Sequence, residues 1–214
     1  MTEKNGSPPC GIYVRVENYS DMPETITGLR QMALVINRAS GYEKNMHVVE
    51  FVYDSARREE IADLCAVTQA EGLVAILSGI VPEDEADLCG ADGVMLDDPA
   101  VCGDVRKLLG EDAIVGLVCG GDRALAEAAL ALDVDYVSLA PDEGLVHWWR
   151  MKTDTLCLVA GALTNETCGA FARAGATFVE AGGYIFGHDK GVMQGTVNML
   201  HALDLALGVP EKVN

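Results

Sequence analysis

The segment Leu156–Gly187 constrains the fold more than any other part of the sequence, because it contains two strand patterns separated by one helix pattern. Both strand patterns are continuous apolar runs, which are typical of strands buried on both faces of a parallel sheet. Each run ends in small residues, at Gly161 in the first case and at Gly182-Gly183 in the second. The segment therefore predicts a βαβ unit with a tight opening after each strand.

The same unit is repeated along the chain. Strand patterns begin near residues 73, 93, 113, 135, 155 and 177, and two more precede them at 11–16 and 46–53. Eight strand–helix units predict a closed (β/α)8 barrel, the TIM-barrel fold of the α/β class. A doubly wound open sheet is the alternative, but it usually has about five or six strands. We expect residues 1–10 to form an amino-terminal tail and residues 11–208 to form a single barrel domain.

Short turns lead from a helix into the next strand at Gly90–Gly93, Leu132–Asp135 and Ala174–Thr177. A glycine or aspartate in such a turn predicts the left-handed conformation in which many helices end. We also expect a short acidic helix over Pro82–Cys89, because proline suits a first helical turn. A last helix is expected over 190–207.

The chain carries a formal net charge of −18, from 33 acidic and 15 basic residues. This charge disfavours nucleic acid and anionic membrane surfaces as partners. It also opposes the approach of phosphorylated ligands, so a phosphate site would have to rely on local backbone N–H groups.

The seven cysteines show no CxxC spacing and lie mostly in apolar runs. Their odd number and their placement predict reduced core residues and a cytoplasmic location. No run approaches the roughly 18 apolar residues that a membrane-spanning helix needs, so the sequence predicts no such helix.

In a parallel barrel, the carboxyl ends of the strands form the face that binds ligands. Gly182-Gly183 is expected at the corner that commonly binds phosphate, or alternatively it only allows a strand and a helix to pack closely. Asp97-Asp98, which precedes Pro99, is either a helix N-cap or a pair of metal ligands.

Charged residues near other strand ends are further candidates for the pocket. Glu50 and Asp54 lie at the end of the second strand, where they serve as a base or ligand or form a solvated rim. Glu180 lies within an apolar strand, so it needs a partner, for which Arg15 is a candidate, or it contacts a ligand. Arg15 and Lys190 are the basic residues expected on this face.

Cys119 lies where a strand meets its loop, but no histidine is placed to activate it, so we expect a pocket residue rather than a nucleophile. His188 is the histidine expected nearest the pocket, in the loop Gly187–Lys190. Trp148 and Trp149 are expected to pack their helix or to form a contact between copies, which leaves a homo-oligomer open.

Three stretches carry a resemblance to a known family: GADGVMLDDPAV, then GEDAIVG followed by DYVSLAP, and LVAGALTNETCGAFARAGATFVEAGGYIFG. In order, spacing and residue type they resemble thiamine phosphate synthase, a family of (β/α)8 barrels. The resemblance covers roughly residues 73–207. It implies a transferase of thiamine biosynthesis that joins a pyrimidine pyrophosphate to a thiazole phosphate, with magnesium and basic residues holding the leaving pyrophosphate.

The resemblance also implies site residues. The family's two phosphate-binding glycines after the seventh strand correspond to Gly161 and Ala162, and its serine after the eighth strand corresponds to Gly183. Its metal-binding aspartate after the fourth strand corresponds to Asp97 or Asp98, so the implied cofactor is Mg²⁺.

Several charged positions of the family differ in this chain. Its basic pair after the second strand is replaced by Val52 and Asp54, and its asparagine–aspartate pair after the third strand by Ser78 and its neighbours. Loss of one donor that stabilises a developing negative charge costs about 10²–10³ in rate. We therefore expect reduced or absent catalysis, with catalytic residues unassigned. The alternatives are a non-catalytic phosphate- or small-molecule-binding pseudoenzyme and a different phosphate-handling TIM-barrel enzyme.

Overall fold

A computed structural model describes residues 10–39, 46–83 and 85–208. Its eight strands pair in parallel and in chain order, and β8 pairs with β1, so the sheet is a closed barrel. The strands are β1 Gly11–Val16, β2 Val48–Val52, β3 Val74–Ser78, β4 Gly93–Leu96, β5 Ile114–Gly120, β6 Tyr136–Leu139, β7 Leu156–Val159 and β8 Phe178–Glu180. The predicted (β/α)8 barrel is confirmed.

Helices cover the outside of the barrel. They are α1 Met22–Arg38, α2 Arg58–Ala70, α3 Cys102–Leu109, α4 Arg123–Ala129, α5 Glu143–Lys152, α6 Cys168–Ala174, α7 Gly182–Phe186 and α8 Val192–Leu207. Single turns of 3₁₀ helix occur at Ser55–Arg57, Glu85–Leu88 and Pro99–Val101. No helix among the described residues is long and apolar enough to cross a membrane.

One local prediction was wrong, and one short helix was not predicted. The expected helix over Pro82–Cys89 is only the 3₁₀ turn Glu85–Leu88. Leu88 is buried, but this acidic segment offers little apolar surface with which a longer helix could dock on the barrel. Conversely, the double glycine after β8 opens a short helix, α7, which the sequence pattern did not predict because glycine is a poor helix former. Most of the expected tail, residues 1–9, lies outside the described residues.

The expected left-handed turns are present. Gly90, Asp133 and Gly175 have φ angles of 81°, 54° and 107°. Each lies in a turn that leads from the outer layer into an even-numbered strand, where a left-handed residue reverses the chain within a few residues.

A side chain that directly precedes each even-numbered strand accepts a hydrogen bond from the neighbouring odd-numbered strand. We call these four residues the strand clamps. The bonds are Ile12 N to His47 Nδ1 at 3.1 Å, Ala75 N to Asp92 Oδ2 at 2.8 Å, Val115 N to Asp135 Oδ2 at 2.7 Å, and Cys157 N to Thr177 Oγ1 at 3.1 Å. The equivalent position is used four times, so the amino-terminal end of the barrel has satisfied backbone N–H groups at alternate strands.

A second, smaller core fills the barrel itself. Its buried members are Tyr13, Val48, Ile76, Met95, Tyr136, Leu158 and Phe178. A side chain at Gly116 would lie 2.5 Å from Cζ of Tyr136, so the glycine makes room for that ring. The barrel is therefore packed in its middle, and a ligand has access only near its ends.

Candidate functional site

A cavity lies at the carboxyl end of the barrel, where β7, β8 and β1 meet. Its volume is about 420 Å³. We call it the corner cavity, and its lining residues are Arg15, Val16, Glu17, Asn18, Ala162, Glu180, Gly182, Gly183 and Phe186. The structure thus brings together Arg15, Ala162, Glu180 and the double glycine, which the sequence had nominated separately.

The side-chain carboxylate of Glu180, the last residue of β8, contacts the turn that follows β7. Its Oε2 accepts hydrogen bonds from the backbone N of Gly161 at 3.0 Å and of Ala162 at 3.1 Å. These are the two amides that the family resemblance assigns to phosphate. In this structure the anion that they bind is a carboxylate of the chain itself.

The turn is an unusual one. Gly161 has a φ of 146° and Ala162 a φ of 51°, and the second value is rare for a residue with a side chain. A Cβ on Gly161 would lie 3.0 Å from Cγ of Pro141. The left-handed conformation and the close proline together explain the glycine, and the conformation directs both N–H groups at one oxygen.

The double glycine after β8 has two different roles. A Cβ on Gly182 would lie 2.9 Å from the carbonyl oxygen of Arg15, so Gly182 lets α7 pack against β1. A Cβ on Gly183 would meet no atom within 4 Å, and Gly183 is exposed to the corner cavity. Close packing therefore accounts for Gly182, and phosphate binding at these glycines stays a prediction.

Buried Glu50 connects the exposed Arg15 to two buried tyrosines below the mouth of the barrel. Arg15 Nε lies 3.3 Å from Glu50 Oε1 and 3.5 Å from Glu17 Oε1, so the suggested pairing of Arg15 with Glu180 is replaced by these two. Tyr13 donates to Glu50 Oε2 at 2.7 Å, and its hydroxyl is 3.2 Å from that of Tyr136. Burial raises the pKa of both tyrosines, so they stay protonated.

Asp54 and Asp98 follow β2 and β4, and Ser78 ends β3, around the same mouth. Asp54 and Asp98 each accept from a backbone N two residues later, at 2.9 Å and 2.8 Å, and so cap short 3₁₀ turns. Ser78 is buried, and its Oγ has no hydrogen-bond partner among the described residues. Asp97 is exposed beside Asp98. Within the described residues, no group of three acidic, cysteine or histidine side chains could hold a metal ion.

Three candidates lie away from the corner cavity. Cys119 faces outward into the core between sheet and helices, where burial raises the pKa of its thiol to about 12. His188 packs edge-on against Tyr184, and its Nε2 lies 3.1 Å from Nδ2 of Asn198. Lys190 is exposed in the same loop, where its backbone N donates to His188.

Negative charge surrounds the mouth. Every one of the eight segments that follow a strand contributes an acidic residue: Glu17, Asp54, Glu83, Asp97, Asp122, Asp142, Glu166 and Asp189. Three basic residues at this end already have partners, whereas Lys190 is exposed. Arg57 contacts Glu60, Arg58 contacts Asp87, and Arg123 lies 4.0 Å from the ring centre of Trp148.

Sequence reasoning missed Tyr13, Tyr136 and Glu17. The period of two along a strand offered a signal for Tyr13, which lies two residues before Arg15 on β1 and therefore shares its inward face. No comparable signal was available for Tyr136, since its partner is distant in sequence and the contact depends on the barrel's closure.

Curated proteins similar to the chain in sequence are thiamine-phosphate synthases, although no family model matches the chain. A thiamine-phosphate synthase from Janthinobacterium sp. is 30% identical over 152 residues, covering 60% of this chain and 68% of the relative. One from Rhodospirillum centenum is 29% identical over 155 residues, covering 64% of this chain and 72% of the relative. The solved thiamine phosphate pyrophosphorylase from Pyrococcus furiosus superposes with a TM-score of 0.72 at 14% identity, covering 94% of this chain and 99% of that one.

Proposed function

The chain belongs to the thiamine-phosphate synthase family, and we propose that it keeps a pocket for thiamine-related small molecules while catalysing the family's condensation slowly or not at all. The condensation joins a pyrimidine pyrophosphate to a thiazole phosphate and releases pyrophosphate. The observation that carries the proposal is the bond of Glu180 to the amides of Gly161 and Ala162, because it puts a negative charge where the phosphate of a substrate is expected.

The charges of the mouth support slow catalysis. A departing pyrophosphate needs cations and hydrogen-bond donors that are already in place. Arg15 lines the corner cavity, but its guanidinium is shared between Glu17 and Glu50. The two positions at which the family has cations after the second strand are Val52 and Asp54, and Asp54 caps a helical turn.

Asp97 and Asp98 are the candidate magnesium ligands at this mouth. Mg²⁺ prefers carboxylate ligands arranged around one point together with substrate phosphates. Asp98 is engaged in capping, and the described residues offer no three-ligand group. Magnesium at Asp97 and Asp98 therefore rests on the family resemblance, and no step of the proposal depends on it.

The corner cavity supports retained binding. Its volume of about 420 Å³ lies in the range of small-molecule pockets, which begins at about 300 Å³. Gly183 has no side chain to fill the cavity, and Phe186 lines it with an apolar ring. A cavity of this kind holds a heteroaromatic ring of the size found in thiamine and its precursors.

Assay of thiamine phosphate formation tests the catalytic half of the proposal. With both substrates and magnesium present, we expect a rate about 10³-fold or more below that of the Rhodospirillum centenum relative, which serves as the positive control. A rate within about tenfold of that relative would contradict the proposal.

Thermal unfolding with thiamine, thiamine phosphate, phosphate and pyrophosphate tests the binding half. A ligand at 100 times its dissociation constant stabilises the folded state by about 2.7 kcal/mol, which raises the melting temperature measurably. We expect at least one thiamine-type compound to do so. If none of the four compounds shifts the melting temperature at millimolar concentration, the pocket does not serve this ligand class.

A further inference from the structure

We propose that Glu180 determines the chemical class of the ligand in the corner cavity. The carboxylate takes the place of a ligand phosphate, so the cavity accepts a neutral or positively charged head group that donates hydrogen bonds. This inference rests on the proposed function, which supplies the corner cavity as the ligand site, and it adds which members of the ligand class bind.

The geometry is that of an occupied anion site. Two successive backbone N–H groups, from Gly161 and Ala162, reach the same oxygen at 3.0 Å and 3.1 Å. Neutral donors that converge on one charged oxygen make a strong interaction. A phosphate oxygen that needed the same two donors would have to displace the Glu180 carboxylate first.

The carboxylate is not required to hold the turn. The backbone N of Leu163 donates to the backbone oxygen of Glu180 at 3.0 Å, which ties the turn to β8 without any side chain. Pro141 also packs closely on Gly161 from the other side. Because these contacts already hold the turn in place, the carboxylate is not needed to form the loop. Its bonds only provide the two amides with an acceptor.

The surrounding charges act in the same direction. Glu17 lines the corner cavity beside Glu180, and the cation of that cavity, Arg15, contacts both Glu17 and Glu50. A phosphate dianion placed there would lie beside two carboxylates with one shared guanidinium. An ammonium group or a ring that carries an amino group and a positive charge would instead complete the site.

Thiamine and thiamine phosphate are matched probes, because they share a cationic thiazolium and an aminopyrimidine and differ only in the phosphate. In titration calorimetry we expect the unaltered protein to bind thiamine about tenfold more tightly than thiamine phosphate, a difference of about 1.4 kcal/mol. Glu180→Ala should reverse the order and bind inorganic phosphate about tenfold more tightly than the unaltered protein.

Two further variants show whether phosphate affinity depends on where the negative charge lies or only on the total charge of the cavity. Glu180→Gln keeps an oxygen that can accept from the two amides, so we expect only a small gain in phosphate affinity, about threefold or less. Glu17→Gln removes the same unit of charge from the cavity without touching the amides, and it should likewise change phosphate affinity by about threefold or less. If Glu17→Gln gains as much as Glu180→Ala, the effect is one of net charge and the proposal is wrong.

Amide signals in ¹⁵N–¹H NMR spectra locate the binding. Phosphate should shift the signals of Gly161 and Ala162 in Glu180→Ala and leave them unchanged in the unaltered protein. Phosphate-dependent shifts of these two amides in the unaltered protein would overturn the proposal, and this measurement needs no variant to fold. A folded Glu180→Ala that gains no phosphate affinity would overturn it as well.

The two proposals fail differently. Binding of inorganic phosphate tests the role of Glu180 without any thiamine-type compound. A gain in phosphate affinity of Glu180→Ala can therefore be measured even if the unaltered protein binds no thiamine. Full synthase activity contradicts slow catalysis. Tighter binding of thiamine phosphate than of thiamine contradicts only the role of Glu180.

Discussion

At the amino-terminal end of the barrel, acceptor side chains bind N–H groups of the strands at four equivalent positions, whereas at the carboxyl end Glu180 of β8 binds two N–H groups of the loop that follows the neighbouring strand. The strand clamps receive N–H groups that belong to strands and would otherwise be left without partners. Glu180 receives N–H groups of a loop beside an open cavity. Bonds to strand N–H groups are ones that the fold needs, whereas a bond to loop N–H groups beside a cavity is one that a ligand can replace.

Thiol labelling compares the mouth with the outer helix layer through a matched pair of cysteines. Burial raises the pKa of Cys119, near the mouth, and of Cys65, on α2, to about 12 each, from 9.0. A shift of three units lowers the thiolate fraction about 1,000-fold, so at about pH 8 both should react with iodoacetamide roughly 10³ times more slowly than in urea.

A difference between the two cysteines would report local opening. We expect Cys119 to be labelled about tenfold faster than Cys65, because loops at a ligand-binding face open more easily than the core of a helix layer. Equal rates in peptide mapping would show that the mouth is as rigid as the rest of the molecule. The raised pKa values also favour the folded state while the thiols are protonated, so their contribution is complete below about pH 9 and is lost as the pH rises toward 12.

Removal of the strongest strand clamp should cost the most stability. Asp135 accepts from Val115 N at 2.7 Å and from Nη2 of the buried Arg106 at 2.6 Å. Asp135→Ala leaves both donors without this partner, and we expect the free energy of unfolding in urea to fall by about 3 kcal/mol. Asp104→Ala is the matched control. It removes an exposed carboxylate paired with Lys107 and should change the free energy by less than about 0.5 kcal/mol. Equal effects would contradict the structural role of the clamp.

Removal of an uncharged strand clamp should lower the free energy of unfolding by less. Thr177→Val keeps the shape of the side chain but removes the acceptor for Cys157 N, so we expect a loss of about 1 kcal/mol in the same urea experiment. Thr177→Ser keeps the hydroxyl and should recover most of that loss. If serine is as destabilising as valine, packing rather than the hydrogen bond explains the residue.

At the mouth, the equivalent deletion should have the smallest effect on stability. Glu180→Ala frees two amides that water can reach beside the corner cavity, so we expect a change below about 0.5 kcal/mol in the free energy of unfolding. A loss as large as that of Asp135→Ala would show that the carboxylate holds the loop, and the contrast between the two ends would not hold.

The corner cavity was only partly predictable. Ala162 and the double glycine line one cavity because strand ends in a parallel barrel meet on one face, and their binding of phosphate stays a prediction. The partner of Glu180 was not found, since it is a pair of main-chain groups 18 and 19 residues earlier and no side-chain pattern encodes them. Cys119 was misplaced because the position of a residue at a strand end does not tell which face its side chain takes.

The sequence by itself determined the architecture. Its eight apolar runs set the number of strands, and its turn residues at Gly90, Asp133 and Gly175 set where the chain returns to the sheet at β4, β6 and β8, because both depend on local conformation and local burial. Only the tertiary structure decided that Arg15 pairs with Glu50 and that Glu180 fills the amides after β7. Those contacts depend on the tilt and closure of the whole sheet, which brings residues from different strands to one height and which no single segment specifies.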